Sequence, residues 1–181
     1  RSAESAEDVA RWLAPRLAPS AHVLDVGGGH GRYSEALVHK GLRATLFDMP
    51  LVVELARERH GDALAYREGD YLRDDFGGPY DAALLSNIVH GESHADNADI
   101  TRRLFAALAP GGTIVFKDMF IDEQGNGPDL AVSFGTTMLY YTANGRSYTL
   151  GDVAAWCRAA GFEAPECVSV DGFSLVLAKK P

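Results

Sequence analysis

The sequence has 181 residues, of which 46% are apolar and 23% are charged, a balance typical of a globular protein of one domain. The 25 acidic residues outnumber the 17 lysines and arginines, and the net charge is −8. Because the basic residues also form no stripe, the composition argues against a nucleic-acid partner. No apolar run approaches the roughly 20 residues of a membrane span, and the N-terminus does not resemble a signal peptide. We therefore expect a cytoplasmic protein that does not bind a membrane.

Cysteine usage agrees with a reduced compartment. Cys157 and Cys167 are the only cysteines, and their spacing matches neither a metal site nor a disulfide framework. The helical pattern around Cys157 indicates a core residue.

The first predicted element is a helix. Ser5 and Asp8 have the spacing that is typical of a capping box, and apolar residues follow at helical spacing until Pro19. We expect this leading helix to pack on a sheet.

A glycine-rich turn follows the first predicted strand, residues 23–26. Gly27, Gly29 and Gly31 allow positive φ angles and let a ligand approach bare main chain, and an amphipathic helix begins directly afterwards. A dinucleotide-binding fingerprint has the pattern G-x-G-x-x-G and would need its third glycine at Arg32. The spacing G-x-G-x-G therefore indicates a ligand other than a nicotinamide dinucleotide.

Strands and helices then alternate along the chain. Pro50 opens a helix after the second strand, and Ile100, Leu104 and Leu108 mark another helix, which stops at residues 110–112. The strands predicted in this part of the chain are residues 44–47, 64–66, 81–87 and 113–116. Such repeated units predict a parallel sheet with helices on both faces.

The end of the chain predicts a hairpin. Residues 149–152 cap a helix that closes at Gly161, and two strands flank Asp171 and Gly172, a dipeptide typical of tight turns. A hairpin adds one antiparallel strand to a parallel sheet. The predicted fold class is therefore α/β, a Rossmann-like doubly wound sheet of seven strands, mostly parallel, with one antiparallel strand from the C-terminal hairpin.

Six segments together resemble the class I S-adenosylmethionine-dependent methyltransferases, and among them the plant-type and bacterial small-molecule O-methyltransferases. The segments are 25–31 (DVGGGHG), 47–50 (FDMP), 69–71 (GDY), 85–90 (LSNIVH), 108–112 (LAPGG) and 159–162 (AAGF). The resemblance implies that residues 1–181 form a methyltransferase catalytic domain, with S-adenosyl-L-methionine as cofactor and S-adenosyl-L-homocysteine as product. It also implies a small-molecule acceptor, the hydroxyl of an aromatic or polyketide-like secondary metabolite, as in antibiotic biosynthesis.

The predicted cofactor site lies at the carboxyl ends of successive strands, where open α/β sheets bind ligands. Asp48 is placed to accept hydrogen bonds from the ribose hydroxyls, and Asp70 resembles the acidic residue that meets the adenine amino group in the family. Each acid also has a structural alternative: Asp48 as a helix cap, Asp70 in a turn, and Asp25 bonded to backbone amides. The full set predicted to bind the cofactor is Asp25, Gly27, Gly29, Gly31, Asp48, Met49, Gly69, Asp70, Tyr71 and Ser86.

In the family, the histidine at the position of His90 is the general base, and Asp118 aligns with the acidic residue that orients it. A phenol with a pKa of about 10 is a weak nucleophile at neutral pH, and an imidazole with a pKa of about 6.5 can accept its proton. One alternative is a surface or helix-capping histidine. Another is a metal site with Glu92 and His94, for which the sequence offers no third ligand. We predict His90 and Asp118 as the catalytic residues, and no metal.

Residues 130–141 are expected to form a wall of the acceptor pocket. Phe134, Met138 and Tyr141 offer apolar surface that suits a flat aromatic acceptor. The spacing of Leu130, Phe134, Met138 and Tyr141 fits a buried helical stripe equally well, so the sequence leaves both interpretations open.

Three positions depart from the family pattern. The family commonly has a lysine at Ser86 and a glutamate near Ser147, and an aspartate or asparagine followed by tryptophan where this chain has Gly91 and Glu92. The absent glutamate removes one carboxylate that would orient the histidine. An N- or C-methyltransferase on the same scaffold, or a catalytically silent cofactor-binding domain, is therefore the alternative.

The family also carries an N-terminal helical domain that forms a homodimer, and nothing like it precedes Ser5. Because the sequence begins at Arg1 and not at a methionine, we expect a piece of a longer protein. A homodimer is expected if that protein has the family's N-terminal domain.

Overall fold

The computed structural model describes residues 2–170 and 173–181. Within these ranges, seven strands form one sheet in the order β3-β2-β1-β4-β5-β7-β6. The strands are β1 (His22–Val26), β2 (Arg43–Asp48), β3 (Ala65–Glu68), β4 (Tyr80–Ser86), β5 (Leu108–Asp118), β6 (Glu166–Val170) and β7 (Phe173–Lys179). The helices are α1 (Ser2–Leu13), α2 (Arg32–His39), α3 (Pro50–His60), α4 (His94–Ala107), α5 (Asp129–Tyr141) and α6 (Leu150–Ala160). None of the helices within the described ranges combines the length and apolarity that crossing a membrane requires.

The direction of the strands confirms the predicted fold class. The pairs that link β1 to β5 through the sheet are parallel, and β7 is antiparallel to both β5 and β6. β7 is thus the one reversed strand among the described residues. Asp171 and Gly172, the predicted turn of this hairpin, lie outside the described residues.

Both faces of the sheet are covered because side chains alternate along the central strands. Leu24 and Leu85 are fully buried in a core that includes side chains of α4 and α6. Their neighbours Val23 and Leu84 are buried on the other face, with side chains of α1 and α2. A sheet that is covered by helices on both faces needs apolar side chains on both faces. This explains the continuous apolar strands that the sequence predicts.

Two predicted boundaries are wrong. The first helix begins at Ser2, so Ser5 lies inside α1 and not at its cap, and the Ser5 hydroxyl lies 3.2 Å from the Tyr33 hydroxyl. Ala3 and Glu4 favour helix, which allows α1 to begin before the apparent capping box. Leu108 belongs to β5 and not to α4: its backbone is extended and it pairs with Tyr80 of β4.

The predicted site residues lie at one edge of the sheet. The chain passes from β1 outward to β2 and β3 in one direction, and from β4 to β5 in the other, so the switch point of the topology lies between β1 and β4. Gly27, Asp48 and Gly69 stand at the carboxyl ends of the first three strands, and His90 and Asp118 at those of β4 and β5. The fold therefore defines a doubly wound domain with its candidate site at the switch point.

Candidate active site

The glycine turn between β1 and α2 has the backbone that the sequence predicts. Gly27, Gly29 and Gly31 have φ angles of 62°, 57° and 83°, in the region that favours glycine. A Cβ atom at Gly27 would collide with the side chain of Ile88, which follows β4. At Gly29, no atom of the described residues other than Gly29 and its two chain neighbours lies within 4 Å of the corresponding position. The turn thus packs tightly at Gly27 and leaves its main chain open at Gly29.

His60, at the end of α3, contacts the same turn. Its side chain is 4% exposed, and its Nε2 lies 2.8 Å from the carbonyl oxygen of His30. Because a carbonyl only accepts, Nε2 is the protonated nitrogen. The other ring nitrogen lies 3.6 Å from a carboxylate oxygen of Glu35. The sequence gives no signal for this contact, since His60 and His30 are 30 residues apart.

Asp48 joins the end of β2 to the glycine turn. Its Oδ2 accepts a hydrogen bond of 2.8 Å from the N–H of Gly29, and its Oδ1 accepts one of 2.8 Å from the N–H of Met49. The N-cap of α3 is Met49, with Pro50 at the first helical position, so the helix-cap interpretation of Asp48 is wrong. The side chain of Met49 is half-exposed beside it.

Asp25 is buried near the end of β1. Its Oδ2 accepts hydrogen bonds from the N–H (3.1 Å) and the hydroxyl (2.7 Å) of Ser34 in α2, and the residue is only 1% exposed. Burial raises the pKa of Asp25 from 3.8 to about 6, although the two hydrogen bonds oppose the rise. The carboxylate thus fastens β1 to α2, and cofactor binding by Asp25 stays a prediction.

Asp70 forms a turn after β3. Its Oδ1 accepts from the N–H of Leu72 at 2.9 Å, and its Oδ2 pairs with Arg73 at 2.9 Å, so the turn interpretation describes its present contacts. The carboxylate remains 21% exposed. Gly69 packs on Phe47, where a Cβ atom would approach the ring to 2.6 Å. Ser86, at the end of β4, is largely buried and accepts a hydrogen bond of 3.3 Å from the side chain of Asn87.

His90 and Asp118 form a buried pair. Nδ1 of His90 lies 2.9 Å from both carboxylate oxygens of Asp118, whose side chain is 2% exposed. An ionised carboxylate only accepts, so Nδ1 carries a proton, and in a neutral imidazole Nε2 is then the acceptor. The side chain of His90 is 16% exposed, which excludes a surface histidine. The N–H of Met119 donates to Asp118 Oδ1 at 2.8 Å and fixes the carboxylate further.

The loop that carries His90 is held by residues that the sequence did not single out. The side-chain amide of Asn97 donates to the carbonyl of Val89 at 2.9 Å, and the hydroxyl of Tyr148 donates to that of Glu92 at 2.6 Å. The carbonyl of His90 accepts from the N–H of Arg146 at 2.9 Å. These contacts span 8 to 56 positions in the sequence, so no local pattern reveals them.

Helix α5 contributes an aromatic wall. The ring of Phe134 stands edge-on to the ring of His90, with centroids 4.7 Å apart and planes at 85°. Met138 packs beside Gly145, close to the carbonyl of His90. Leu130 is 64% exposed and Tyr141 is 83% exposed, so the buried-stripe interpretation is wrong. Tyr141 faces solvent and is not brought to His90.

An apolar cavity of about 280 Å³ lies at the beginning of α5. It lies between the end of β5, the beginning of α5 and the beginning of β7, and its lining includes Met119, Leu130 and Phe173. Because Met119 follows Asp118 directly, the cavity borders the end of the strand that positions His90.

The metal alternative finds no support among the described residues, where no group of three or more potential ligands comes together. His94 instead packs edge-on against Trp156, with centroids 5.3 Å apart, and lies near Tyr148. Its Nε2 is 3.7 Å from a carboxylate oxygen of Asp152.

Comparison with known proteins places the domain in a family. Residues 6–163 match the family model described as an O-methyltransferase domain. The chain belongs to this family.

Individual relatives agree. The chain is 31% identical over 172 residues to acetylserotonin O-methyltransferase of Bos taurus, covering 91% of this chain and 49% of that protein. It is 34% identical over 146 residues to 3-hydroxy-5-methyl-1-naphthoate 3-O-methyltransferase of Streptomyces sahachiroi, covering 77% of this chain and 42% of that protein. Human N-acetylserotonin methyltransferase in complex with SAM superposes with a TM-score of 0.84 at 23% identity, over 98% of this chain and 55% of that one. The chain thus spans about half the length of these relatives.

Proposed function

We propose that this chain transfers the methyl group of S-adenosyl-L-methionine to a hydroxyl of a small aromatic or polyketide-like metabolite, with His90 as general base. The observation that carries the proposal is the buried His90–Asp118 pair at the same sheet edge as the open glycine turn. Membership of the O-methyltransferase domain family supports it.

The residues at the turn fit this cofactor. An ionised carboxylate offers about four acceptor positions, and the N–H groups of Gly29 and Met49 occupy two of those on Asp48. Its remaining positions are available to the two ribose hydroxyls. The open main chain at Gly29 admits the amino-acid part, and the acids Asp48 and Asp70 favour a cation over an anion. Met49 and Tyr71 offer apolar surface to the adenine. Gly69 and Ser86 lie at the same edge of the sheet and are also assigned to the cofactor site.

Proton transfer is assigned to His90. When bound, S-adenosylmethionine supplies a methyl group on a sulfonium, whose thioether is a neutral leaving group. Nε2 of His90 accepts the proton of the acceptor hydroxyl as that oxygen forms its new bond to carbon. Asp118 keeps the imidazole in the required tautomer and stabilises the imidazolium that results. The edge of Phe134 and the side chain of Met138 hold the acceptor ring beside the base.

The wall and the relatives support an aromatic acceptor. Phe134 and the cavity bordered by Met119 and Phe173 are apolar and suit a planar ring system. The names of the two relatives specify acetylserotonin and a hydroxynaphthoate. We infer a hydroxylated aromatic acceptor for this chain, and we place it in the cytoplasm, where its two free cysteines stay reduced. A homodimer stays a prediction.

The test is binding followed by transfer. Calorimetry with S-adenosylhomocysteine measures cofactor binding, and mass spectrometry after incubation with S-adenosylmethionine and a panel of hydroxynaphthoates, hydroxyindoles and polyketide phenols detects a gain of one methyl group. We expect binding and a methyl ether product. Methylation on nitrogen or carbon would favour the alternative chemistry on this scaffold, and binding without any transfer would favour a silent cofactor-binding domain.

A further inference from the structure

A tyrosine and a glutamate connect the two halves of the candidate site. Tyr71 follows β3, on the side proposed for the cofactor, and Glu92 lies two residues after His90. The hydroxyl of Tyr71 donates to Oε1 of Glu92 at 2.7 Å, although the residues are 21 positions apart. This bond therefore joins the segment after β3 to the loop after β4.

The glycine turn lies directly against this connection. A Cβ atom at Gly27 would lie 3.7 Å from Cε1 of Tyr71 and would collide with Ile88, which belongs to the His90 loop. The ring of Tyr71 is partly buried and packs on the same core as Ile88. The turn, the segment after β3 and the loop after β4 thus meet at Gly27.

The backbone at each end of the bond is fixed by other residues. Arg103 of α4 donates to the carbonyls of Tyr71 at 2.5 Å and of Asp74 at 2.7 Å, and it pairs with Asp99 at 2.7 Å. At the other end, Tyr148 donates to the carbonyl of Glu92 at 2.6 Å. Because both backbones are held, the side-chain bond sets the position of the Tyr71 ring and does not merely close a loose loop.

The bond joins a neutral donor to a charged acceptor. Burial raises the pKa of the Tyr71 hydroxyl, and the nearby carboxylate of Glu92 raises it further. Tyr71 therefore keeps its proton throughout the physiological range, and hydrogen bonds to ionised carboxylates are stronger than those between neutral groups.

We propose that Tyr71 and Glu92 are a positioning pair that couples cofactor binding at the glycine turn to the placement of the His90 loop. The inference rests on the proposed function, since it takes the cofactor to lie against Tyr71. Cofactor that packs on the ring of Tyr71 restrains its hydroxyl, which restrains Glu92, and Glu92 is separated from His90 by Gly91 alone. The sequence departs from its family at Gly91 and Glu92, and this contact gives Glu92 a function of its own.

Conservative variants test the pair. Tyr71→Phe removes only the hydroxyl, and Glu92→Leu removes the acceptor, whereas Glu92→Gln keeps an oxygen in the same place. Tyr66→Phe is the matched control, because the Tyr66 hydroxyl donates to the carbonyl of Gly61 at 2.9 Å, outside the turn. The measurements are the Kd of S-adenosylhomocysteine by calorimetry and the kcat of methyl transfer at saturating cofactor.

We expect Tyr71→Phe and Glu92→Leu each to raise the Kd of S-adenosylhomocysteine by at least about fivefold and to lower kcat, because each removes a hydrogen bond to a charged group. The double variant should be no worse than either single variant. Glu92→Gln keeps a neutral and therefore weaker acceptor for the Tyr71 hydroxyl, so its losses should lie between those of the parent and those of Glu92→Leu. Additive losses, or a Tyr71→Phe variant that matches Tyr66→Phe, would overturn the proposal.

Asp48→Ala, measured alongside, separates this inference from the proposed function. If Asp48→Ala weakens binding and Tyr71→Phe does not, the cofactor site stands and the pair is wrong. If neither change affects binding, the cofactor does not lie at this edge, and both proposals fall.

Discussion

The ring of His60 occupies the space that a side chain on Gly31 would need. A Cβ atom at Gly31 would lie 2.8 Å from two ring atoms of His60, and Nε2 of the same ring donates to the carbonyl of the preceding residue, His30. The glycine turn is therefore shaped by contacts with α3 as well as by its own backbone. The contact between this turn and His60 can therefore be tested by substitutions in the turn without a bound ligand.

Gly31→Ala should destabilise the fold more than the backbone angle alone explains. Gly41 has the same φ of 83°, and no atom of the described residues other than Gly41 and its two chain neighbours lies within 4 Å of its Cβ position. Both alanine variants incur a strain of about 1 kcal/mol, but only Gly31→Ala also displaces His60, at a cost of about 1 to 3 kcal/mol. Urea denaturation of the two variants checks the difference. Equal losses would show that the ring of His60 moves aside freely.

His90→Ala should abolish most turnover and leave cofactor affinity nearly unchanged. General bases contribute about 10²- to 10⁴-fold to rate, and the Cβ that remains cannot accept a proton. Initial rates and S-adenosylhomocysteine calorimetry on the same preparations separate chemistry from binding. His39→Ala, at an exposed position in the last turn of α2, is the control. A variant that kept its turnover would mean that proximity alone drives transfer and that His90 is not the base.

Asp48→Ala should weaken cofactor binding by about tenfold or more, because a carboxylate that accepts several hydrogen bonds is lost. Asp48→Asn keeps one acceptor oxygen for the N–H of Gly29 and should fall between Asp48→Ala and the parent. Calorimetry with S-adenosylhomocysteine provides the readout, and Asp62→Ala, on the exposed turn after α3, is the control. Affinity unchanged from the parent would remove Asp48 from the site.

Asp25 should make stability fall as the pH rises from about 4 to 6. Its pKa is about 6 in the folded protein and 3.8 without burial, so the folded state binds more protons in this window. The free energy of unfolding then decreases with rising pH, by about 2 to 3 kcal/mol in total. Asp25→Asn, which stays neutral and still accepts from Ser34, should lose this decrease. Urea denaturation at pH 4, 5, 6 and 7 tests it against Asp62→Asn, and parallel profiles for both variants would contradict it.

Local sequence signals predicted helix and strand boundaries correctly where no neighbouring residue or strand pairing favoured a different boundary. Thr149 and Asp152 form the predicted capping box at α6, because an irregular segment precedes Thr149. The same signal at Ser5 failed because residues that favour helix precede it. Leu108 satisfied the helical spacing after Leu104, but pairing with β4 decided its conformation.

The location of the site could be predicted from the topology of the sheet, but the contacts of its side chains could not. Any parallel sheet in this strand order brings Asp48 and His90 to one edge, so their neighbourhood was predictable. The bond between Ser34 and Asp25 and the bond between Tyr71 and Glu92 depend on rotamers and on contacts between different segments of the chain. Single-sequence patterns carry no information on such contacts.

The reversal of β7 divides the two binding tasks along the chain. Because β7 runs against its neighbours, its first residues, Phe173 and Ser174, stand at the ligand edge beside Asp118. The groups proposed for the methyl donor lie within residues 27–86, and those proposed for the acceptor lie within residues 90–174. Exchange of a gene segment that begins after β4 would therefore bring in a new acceptor wall as a unit, and the donor site would change only where Ile88 packs at Gly27 and Glu92 contacts Tyr71.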